Sequence, residues 1–261
     1  MNKMNINEIH EQLYKLMQKF DVFCLKHNLT YSLAYGSMLG AVRHQGIIPW
    51  DDDLDVWMPR EDYDKLLNLS VNEKLIDSEL YLFHYSQHNA FTYLKVIDRD
   101  VKIREKWADI DNQSYGLFID IFPLDKYPTE SYAKKTKKEF DKLQHRFDFS
   151  NLAYDRESFF LKRSFKNMRN YLYKHIYNRK KICLKIDKLC SYYKNSDITT
   201  YTCYFGTLIN VNSLATKRCK FGLLEANVFV GWEDVLASCY GDWRKLPPIE
   251  QRISKHALII E

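Results

Sequence analysis

No run of about 18 apolar residues occurs in this 261-residue sequence, so no membrane-spanning helix is expected. The first residues, MNKMNINEIHEQ, are polar and lack the apolar stretch of an export signal, so a secreted chain is not expected. The six cysteines, Cys24, Cys183, Cys190, Cys203, Cys219 and Cys239, form neither a CxxC pair nor a tight His/Cys cluster. That scatter argues against a structural zinc site and, in an unexported chain, predicts reduced, mostly buried thiols. Neither an internal repeat nor a low-complexity linker appears. The expectation is one domain over residues 1–261, with a helical subdomain over roughly 129–195.

What is present is ordinary for a globular protein: 46% hydrophobic and 28% charged residues, enough for a sizeable core. The aromatic share of 15% fits a large core or surfaces that stack on sugars and bases. The net charge of +5 is uneven, because residues 131–190 hold 17 Lys and Arg against 6 Asp and Glu. A basic block of this kind is either a solvated helical face or an attraction for nucleic acid, an anionic membrane surface or an acidic polymer.

The informative stretch is Tyr35–Tyr63, YGSMLGAVRHQGIIPWDDDLDVWMPREDY. TYSLAY over 30–35 reads as a strand entering Gly36, and Ser37 to Val42 suits a helix. Gly36 and Ser37 then sit at a strand-to-helix turn, where unsatisfied backbone N–H groups attract phosphate. Glycine allows close backbone approach there, and serine adds a hydroxyl. DLDVWM over 53–58 alternates as a strand, so Asp51, Asp53 and Asp55 share one face and Leu54 and Val56 face the core. Asp52 points away from them on this pattern. Carboxylates crowded on one face repel unless a cation neutralises them, and hard divalent cations take oxygen ligands. The other reading is a solvent-exposed acidic turn. The setting between IIPW and VWM favours the metal.

The rest of the chain supplies a frame. Residues 5–27 predict an amphipathic helix with a capping box, Asn5 and Glu8. Pro59 is read as the first residue of a helix. Residues 80–86, 91–97 and 100–106 read as short strands. GLFIDIFPLD over 116–125 reads as a buried strand with one carboxylate, Asp120, in its middle. Such an Asp must be paired, protonated or metal-bound. A neighbouring position would bring it beside Asp53 and Asp55 as a third carboxylate; pairing with an arginine is the alternative. Residues 129–148 and 156–195 predict helices, 201–209 and 227–231 strands, and 233–240 a short helix ended by Gly241. The fold class is α/β (α+β), a mixed sheet with flanking helices and a basic helical insertion.

Gly36-Ser37, the acidic run inside GAVRHQGIIPWDDDLDVWMPREDY, FIDIFPLD and the C-terminal YGDWRKLPPIEQR together resemble the LicD family. These are bacterial phosphocholine transferases that decorate cell-surface glycans, related to fukutin and fukutin-related protein. The likeness runs from about residue 10 to 257. It implies a nucleotidyltransferase-type core: a Gly-Ser turn, an Asp-hydrophobic-Asp strand and a third carboxylate on a neighbouring strand. Carried onto this sequence, Gly36 and Ser37 hold phosphate, and Asp53 and Asp55 bind metal. Asp120 matches the third carboxylate, and Asp51 a further acidic position of the family. The gap from Ser37 to Asp53 is longer than in the generic superfamily pattern, and GAVRHQGIIPW fills it as a feature of the LicD family.

The reaction this resemblance implies is transfer of a phospho-alcohol from a CDP-linked donor, CDP-choline favoured, to a hydroxyl of a glycan or lipid-linked glycan, such as lipopolysaccharide, teichoic acid or capsule. The cofactor is Mg²⁺ or Mn²⁺. Asp53, Asp55 and Asp120 are the catalytic set, with Asp120 as proton acceptor; Arg43 and Lys95 are candidates for binding phosphate. Arg43 could instead pair with the acidic run, and Lys95 could simply face solvent. His44 and His256 read as surface or packing residues. Choline requires an aromatic cage, with Trp50, Trp57, Trp107, Trp232 and Trp243 in view. Asp242 and Arg244 are read as contacts to donor or acceptor. CDP-glycerol or CDP-ribitol transfer, nucleotidyl transfer to another acceptor, and a non-enzymatic binding protein are the competing classes. The expected setting is the cytoplasm, with peripheral contact to anionic membrane at its inner face and no nucleic-acid partner.

Overall fold

The computed structural model describes residues 5–84, 91–105, 115–151, 160–206, 208–253 and 258–260. Helix α1 (Ile6–Lys26) opens on the expected capping box. Asn5 accepts the N–H groups of Asn7 and Glu8, while Glu8 Oε2 accepts the Asn5 N–H at 2.7 Å, satisfying donors that a helix start leaves open. Its core-facing positions Leu13, Leu16, Met17 and Phe20 are fully buried against the sheet.

The chain continues through β1 (Ser32–Leu33), α2 (Tyr35–His44), β2 (Asp55–Pro59), α3 (Arg60–Asn68), β3 (Ser70–Val71), β4 (Lys74–Leu75), β5 (Tyr81–Phe83), β6 (Leu94–Glu105) and β7 (Tyr115–Lys126). The strands join in the order β1-β2-β7-β6-β5-β4-β3. β2 and β7 run parallel, whereas β7 and β6, like β6 and β5, run antiparallel. β2 and β7 are buried almost throughout, which agrees with their near-continuous apolar sequences.

Several expected boundaries move. The strand read at 53–58 starts only at Asp55, and residues 51–54 form an irregular loop. Pro59 ends β2 and acts as N-cap of α3 rather than as its first residue. The strands read at 91–97 and 100–106 are one strand, β6, whose pairing with β7 shifts register between Asp98 and Lys102. Residues 85, 86, 106, 156–159 and 207 of the expected elements lie outside the described residues.

The basic segment forms α4 (Glu130–Asn151), α5 (Phe160–Ile176) and α6 (Arg179–Cys190). A single helix was expected over 156–195. The break falls at Asn178, whose side chain accepts the Lys181 N–H at 2.9 Å and caps a new helix, a role its short amide suits. Arg60 at the start of α3 ties this part to the sheet. It donates to both oxygens of Asp125 on β7 at 2.7 and 3.0 Å and to Asp187 on α6 at 2.9 Å.

Beyond α6 come β8 (Tyr201–Cys203), β9 (Ile209–Val211), the hairpin β10 (Thr216–Phe221) and β11 (Leu224–Phe229), α7 (Trp232–Tyr240) and β12 (Leu258–Ile260). The hairpin replaces the single strand expected at 227–231. Arg218 on β10 donates to both oxygens of Asp21 on α1 at 2.7 and 2.9 Å. All six cysteines are free thiols, four of them buried. Among the described residues no helix is long and apolar enough to cross a membrane.

Candidate functional site

Three adjacent strands place three charged side chains in one row. Asp55 on β2 stands opposite Asp120 on β7, and Asp120 stands opposite Lys95 on β6. Residues in register across a sheet project from the same face. Lys95 Nζ donates to Asp120 Oδ1 at 2.6 Å, and the Tyr93 hydroxyl donates to Asp120 Oδ2 at 3.2 Å. Both oxygens of this inner carboxylate are therefore engaged.

The acidic loop lies at the start of β2. Asp52 is buried, and Asp51, Asp53 and Asp55 are half-buried, so this is not a solvent-exposed turn. One carboxylate oxygen from each of Asp51, Asp52 and Asp53 lies within 4.8 Å of the others. The expectation that Asp52 points away from its neighbours fails because the loop is not extended at this point. Burial, and after it the charges of Asp53, Asp120 and Asp51, raise the Asp55 carboxyl well above the usual carboxylate range, with Lys95 opposing. The group is thus held where its negative charge is costly unless a cation balances it.

Helix α2 delivers its amino end to the same place. Ala34 caps it without a side-chain bond, and the first closing bond is Met38 N–H to Ala34 O at 2.9 Å. Ser37 Oγ accepts the Asp55 N–H at 2.9 Å, so its oxygen serves first to join α2 to β2. A Cβ on Gly36 would come within 2.7 Å of Asp51 Oδ2; the absence of a side chain lets the acidic loop close on the helix. Tyr35, at the first position of α2, has φ of 40°, a strained value for a non-glycine residue. Its hydroxyl is fixed by donation to Phe205 O at 2.7 Å.

The acidic loop itself is pinned from two sides. His10 Nε2 lies 2.7 Å from Asp51 O, and the Tyr14 hydroxyl accepts the Ile47 N–H at 2.9 Å. Gly46 and Gly222 flank the Tyr14 side chain so closely that a Cβ on Gly46 would come within 2.5 Å of its hydroxyl and one on Gly222 within 2.6 Å of its ring.

A cleft of about 850 Å³ opens beside this centre, lined by Gly36, Arg43, Trp50, Asp51, Tyr240 and Trp243 among others. The C-terminal segment forms its far wall. Arg43 holds that wall, donating through Nη1 to Trp243 O at 3.0 Å and Lys245 O at 3.3 Å. The phenol of Tyr240 is raised in pKa by burial, then by Cys239 and by the field of Asp55, Asp51 and Asp53, which puts it within electrostatic reach of the acidic centre.

Lys95 does not fit the role of a phosphate contact. It is 1% exposed and belongs to Asp120; nor is it the solvent-facing strand lysine of the alternative reading. Trp57 is fully buried and packs; Trp50 and Trp243 line the cleft, while Trp232 stacks edge-on against Trp243 at 5.3 Å. Asp242 lines the cleft, and Arg244 lies 3.8 Å from Glu233. Trp107 and His256 lie outside the described residues. Sequence reading missed Tyr93, Tyr240, His10 and Tyr14. Tyr93 was findable: it lies two residues before Lys95 within the strand expected over 91–97, which sets both on one face, although β6 itself begins at Leu94.

A Gly-Ser helix start, an Asp-Leu-Asp segment entering a strand and a third carboxylate on the parallel neighbour make up the arrangement of a nucleotidyltransferase-type domain. The family model described as LicD/FKTN/FKRP, nucleotidyltransferase domain, matches residues 28–158, and the chain belongs to that family. It is 26% identical over 273 aligned positions to the lipopolysaccharide cholinephosphotransferase LicD of Haemophilus influenzae, covering 98% of this chain and 97% of that protein. An uncharacterised protein of Rickettsia prowazekii is 34% identical over 116 residues, 44% of this chain and 40% of its own. A second, from Rickettsia typhi, is 52% identical over 50 residues, 19% of this chain and 16% of its own.

Proposed function

We propose that this protein is a metal-dependent phosphotransferase that moves phosphocholine from CDP-choline to a hydroxyl of a cell-surface glycan and releases CMP. The observation that carries the reading is the register of Asp55 against Asp120 beside the amino end of α2. The lipopolysaccharide cholinephosphotransferase of Haemophilus influenzae, similar along nearly the whole chain, supports the choice of phosphocholine and of a lipopolysaccharide-type acceptor.

The donor set fits a hard divalent cation. Carboxylate oxygens of Asp51, Asp52 and Asp53 lie within 4.8 Å of one another, and the Asp55 carboxyl, in the field of Asp53, Asp120 and Asp51, sits where its charge needs a counter-charge. In this reading Asp51, Asp53, Asp55 and Asp120 hold Mg²⁺ or Mn²⁺. When bound, the cation supplies positive charge against the donor pyrophosphate and the phosphate that leaves. Gly36 and Ser37 meet the donor phosphates with backbone N–H groups at the helix start. Asp120, oriented by Lys95 and Tyr93, accepts the proton of the acceptor hydroxyl as its oxygen bonds to phosphorus, and the P–O bond to CMP breaks with its electron pair. Arg43 shapes the cleft through the tail it holds. Trp50 and Tyr240 offer aromatic faces to the trimethylammonium group.

A polyol donor, CDP-glycerol or CDP-ribitol, is the second reading, favoured by the polar side chains of Asp242, Glu250 and Gln251 in the same cleft. A panel of CDP-choline, CDP-glycerol and CDP-ribitol, with and without Mg²⁺, tests both through CMP release. Metal-dependent CMP from CDP-choline is expected. No metal-dependent CMP from any donor, with any acceptor glycan, overturns the phosphotransferase reading.

A further inference from the structure

Helix α5 has the sequence FLKRSFKNMRNYLYKHI. It carries five Lys and Arg and no Asp or Glu. It packs on α4: Asn170 is buried, and Tyr173 meets Phe149 with ring centroids 5.4 Å apart. Its opposite side is apolar and uncovered. Phe165, Met168, Leu172 and Ile176 are 76%, 60%, 47% and 68% exposed. Their spacing of three, four and four residues sets them in one stripe, along a shallow groove of about 350 Å³ that Tyr177 helps to line. Large apolar side chains left together in water mark an interaction surface.

We propose that this stripe docks on an anionic phospholipid bilayer, with α5 lying in the plane of the interface. Charge complementarity selects this occupant. The stripe sits on a helix without acids, inside a block that holds 17 Lys and Arg against 6 Asp and Glu over residues 131–190. A helix that carries an exposed apolar stripe and charges of basic sign alone is the form that settles among acidic headgroups, its apolar side chains reaching the acyl boundary. A second copy of the chain is disfavoured as occupant, because a two-fold contact would set two such cationic blocks against each other. Binding of this kind is peripheral and needs neither donor nor metal, so its failure and that of the phosphotransfer reading are distinguishable.

The test is co-sedimentation of the full chain with vesicles of phosphatidylcholine alone or with ~30% phosphatidylglycerol. Binding to the anionic vesicles is expected at low salt. It should weaken by about tenfold or more on plain phosphatidylcholine, in high salt, or in the triple variant Phe165→Ser, Met168→Ser, Leu172→Ser. The thermal melt of that variant checks its fold, and Ile176→Ser alone gives a milder change in the same direction. The proposal is overturned if the chain ignores anionic vesicles, or if the variants bind as the wild type does. It is equally overturned if sedimentation velocity finds a dimer that the triple variant dissociates.

Discussion

Lys95 Nζ lies 2.6 Å from Asp120 Oδ1 in a pocket where the lysine is 1% exposed. The rings of Phe118 and Phe91 approach the same ammonium, at 3.4 and 4.2 Å from their centroids. Removing one member of a buried ion pair leaves the other charged and unpaired, which costs about 3–5 kcal/mol. Lys95→Met should therefore destabilise the protein by about that much in urea titrations. Adding Asp120→Asn should recover much of the loss, while CMP release stays abolished in single and double variants. A Lys95→Met protein as stable as the wild type would remove the pair from its anchoring role.

Asp55 should behave in the opposite sense. Its carboxyl is held where the charge is unfavourable, so Asp55→Asn relieves repulsion while removing a proposed ligand. In chelator the variant should melt higher by about 2–4 °C, the shift that ~1 kcal/mol gives in a chain of this size. Mg²⁺ should raise the melting temperature of the wild type and leave that of the variant unmoved. Turnover should fall by on the order of 100-fold or more. Equal melting responses to Mg²⁺ in both proteins would contradict the assignment.

His84 is buried, and burial lowers its pKa from 6.5 to about 4, against a small opposing effect of Asp187. The unfolded chain thus takes up this proton first on acidification. Stability is fully present above about pH 6.5 and is lost as pH falls toward 4. The urea midpoint should decline across that window, and His84→Gln should flatten the decline. A slope unchanged by the substitution would assign the acid sensitivity to other groups.

Gly222 has φ of 68° and faces the Tyr14 ring. Its N–H also donates to Gln45 O at 2.6 Å. Gly222→Ala adds an unfavourable backbone conformation, about 1–3 kcal/mol, to a steric overlap with the ring that positions Ile47. Activity should fall further than stability does, because the disturbed loop is the one that leads to Asp51. Tyr14→Phe, which removes only the hydroxyl acceptor for the Ile47 N–H, should give a milder loss of the same kind.

Much of this site was legible in the chain. The capping box and the 3.6-residue periodicity of α1 are local signals. So is the apolar run that makes β7 a buried strand with Asp120 inside it. Alternation set Asp53 and Asp55 on one strand face, but only Asp55 lies in a strand; Asp53 sits in the irregular loop, from where its charge still acts on the Asp55 carboxyl. What escaped was tertiary. A lysine in a strand carries no mark of whether it meets solvent or a carboxylate, and Lys95 is decided by the β6–β7 register. The shift between Asp98 and Lys102 joins two expected strands into one, and no residue type at that point announces it. Asp52 was misplaced because alternation holds only while the backbone stays extended, and His10 and Tyr14 reach the loop from a helix that reads as mere packing.

The pairing of β2 with β7 also sets an order of events during folding. The two aspartates meet only after a helix, a three-stranded meander and the whole of β6 have been threaded between them. Contacts of such sequence separation carry a high loop-closure cost and form late. A slip of one residue in this pair would turn Asp120 to the opposite face. Helix content should therefore return before activity in refolding, and an active centre certifies that the central register has closed correctly.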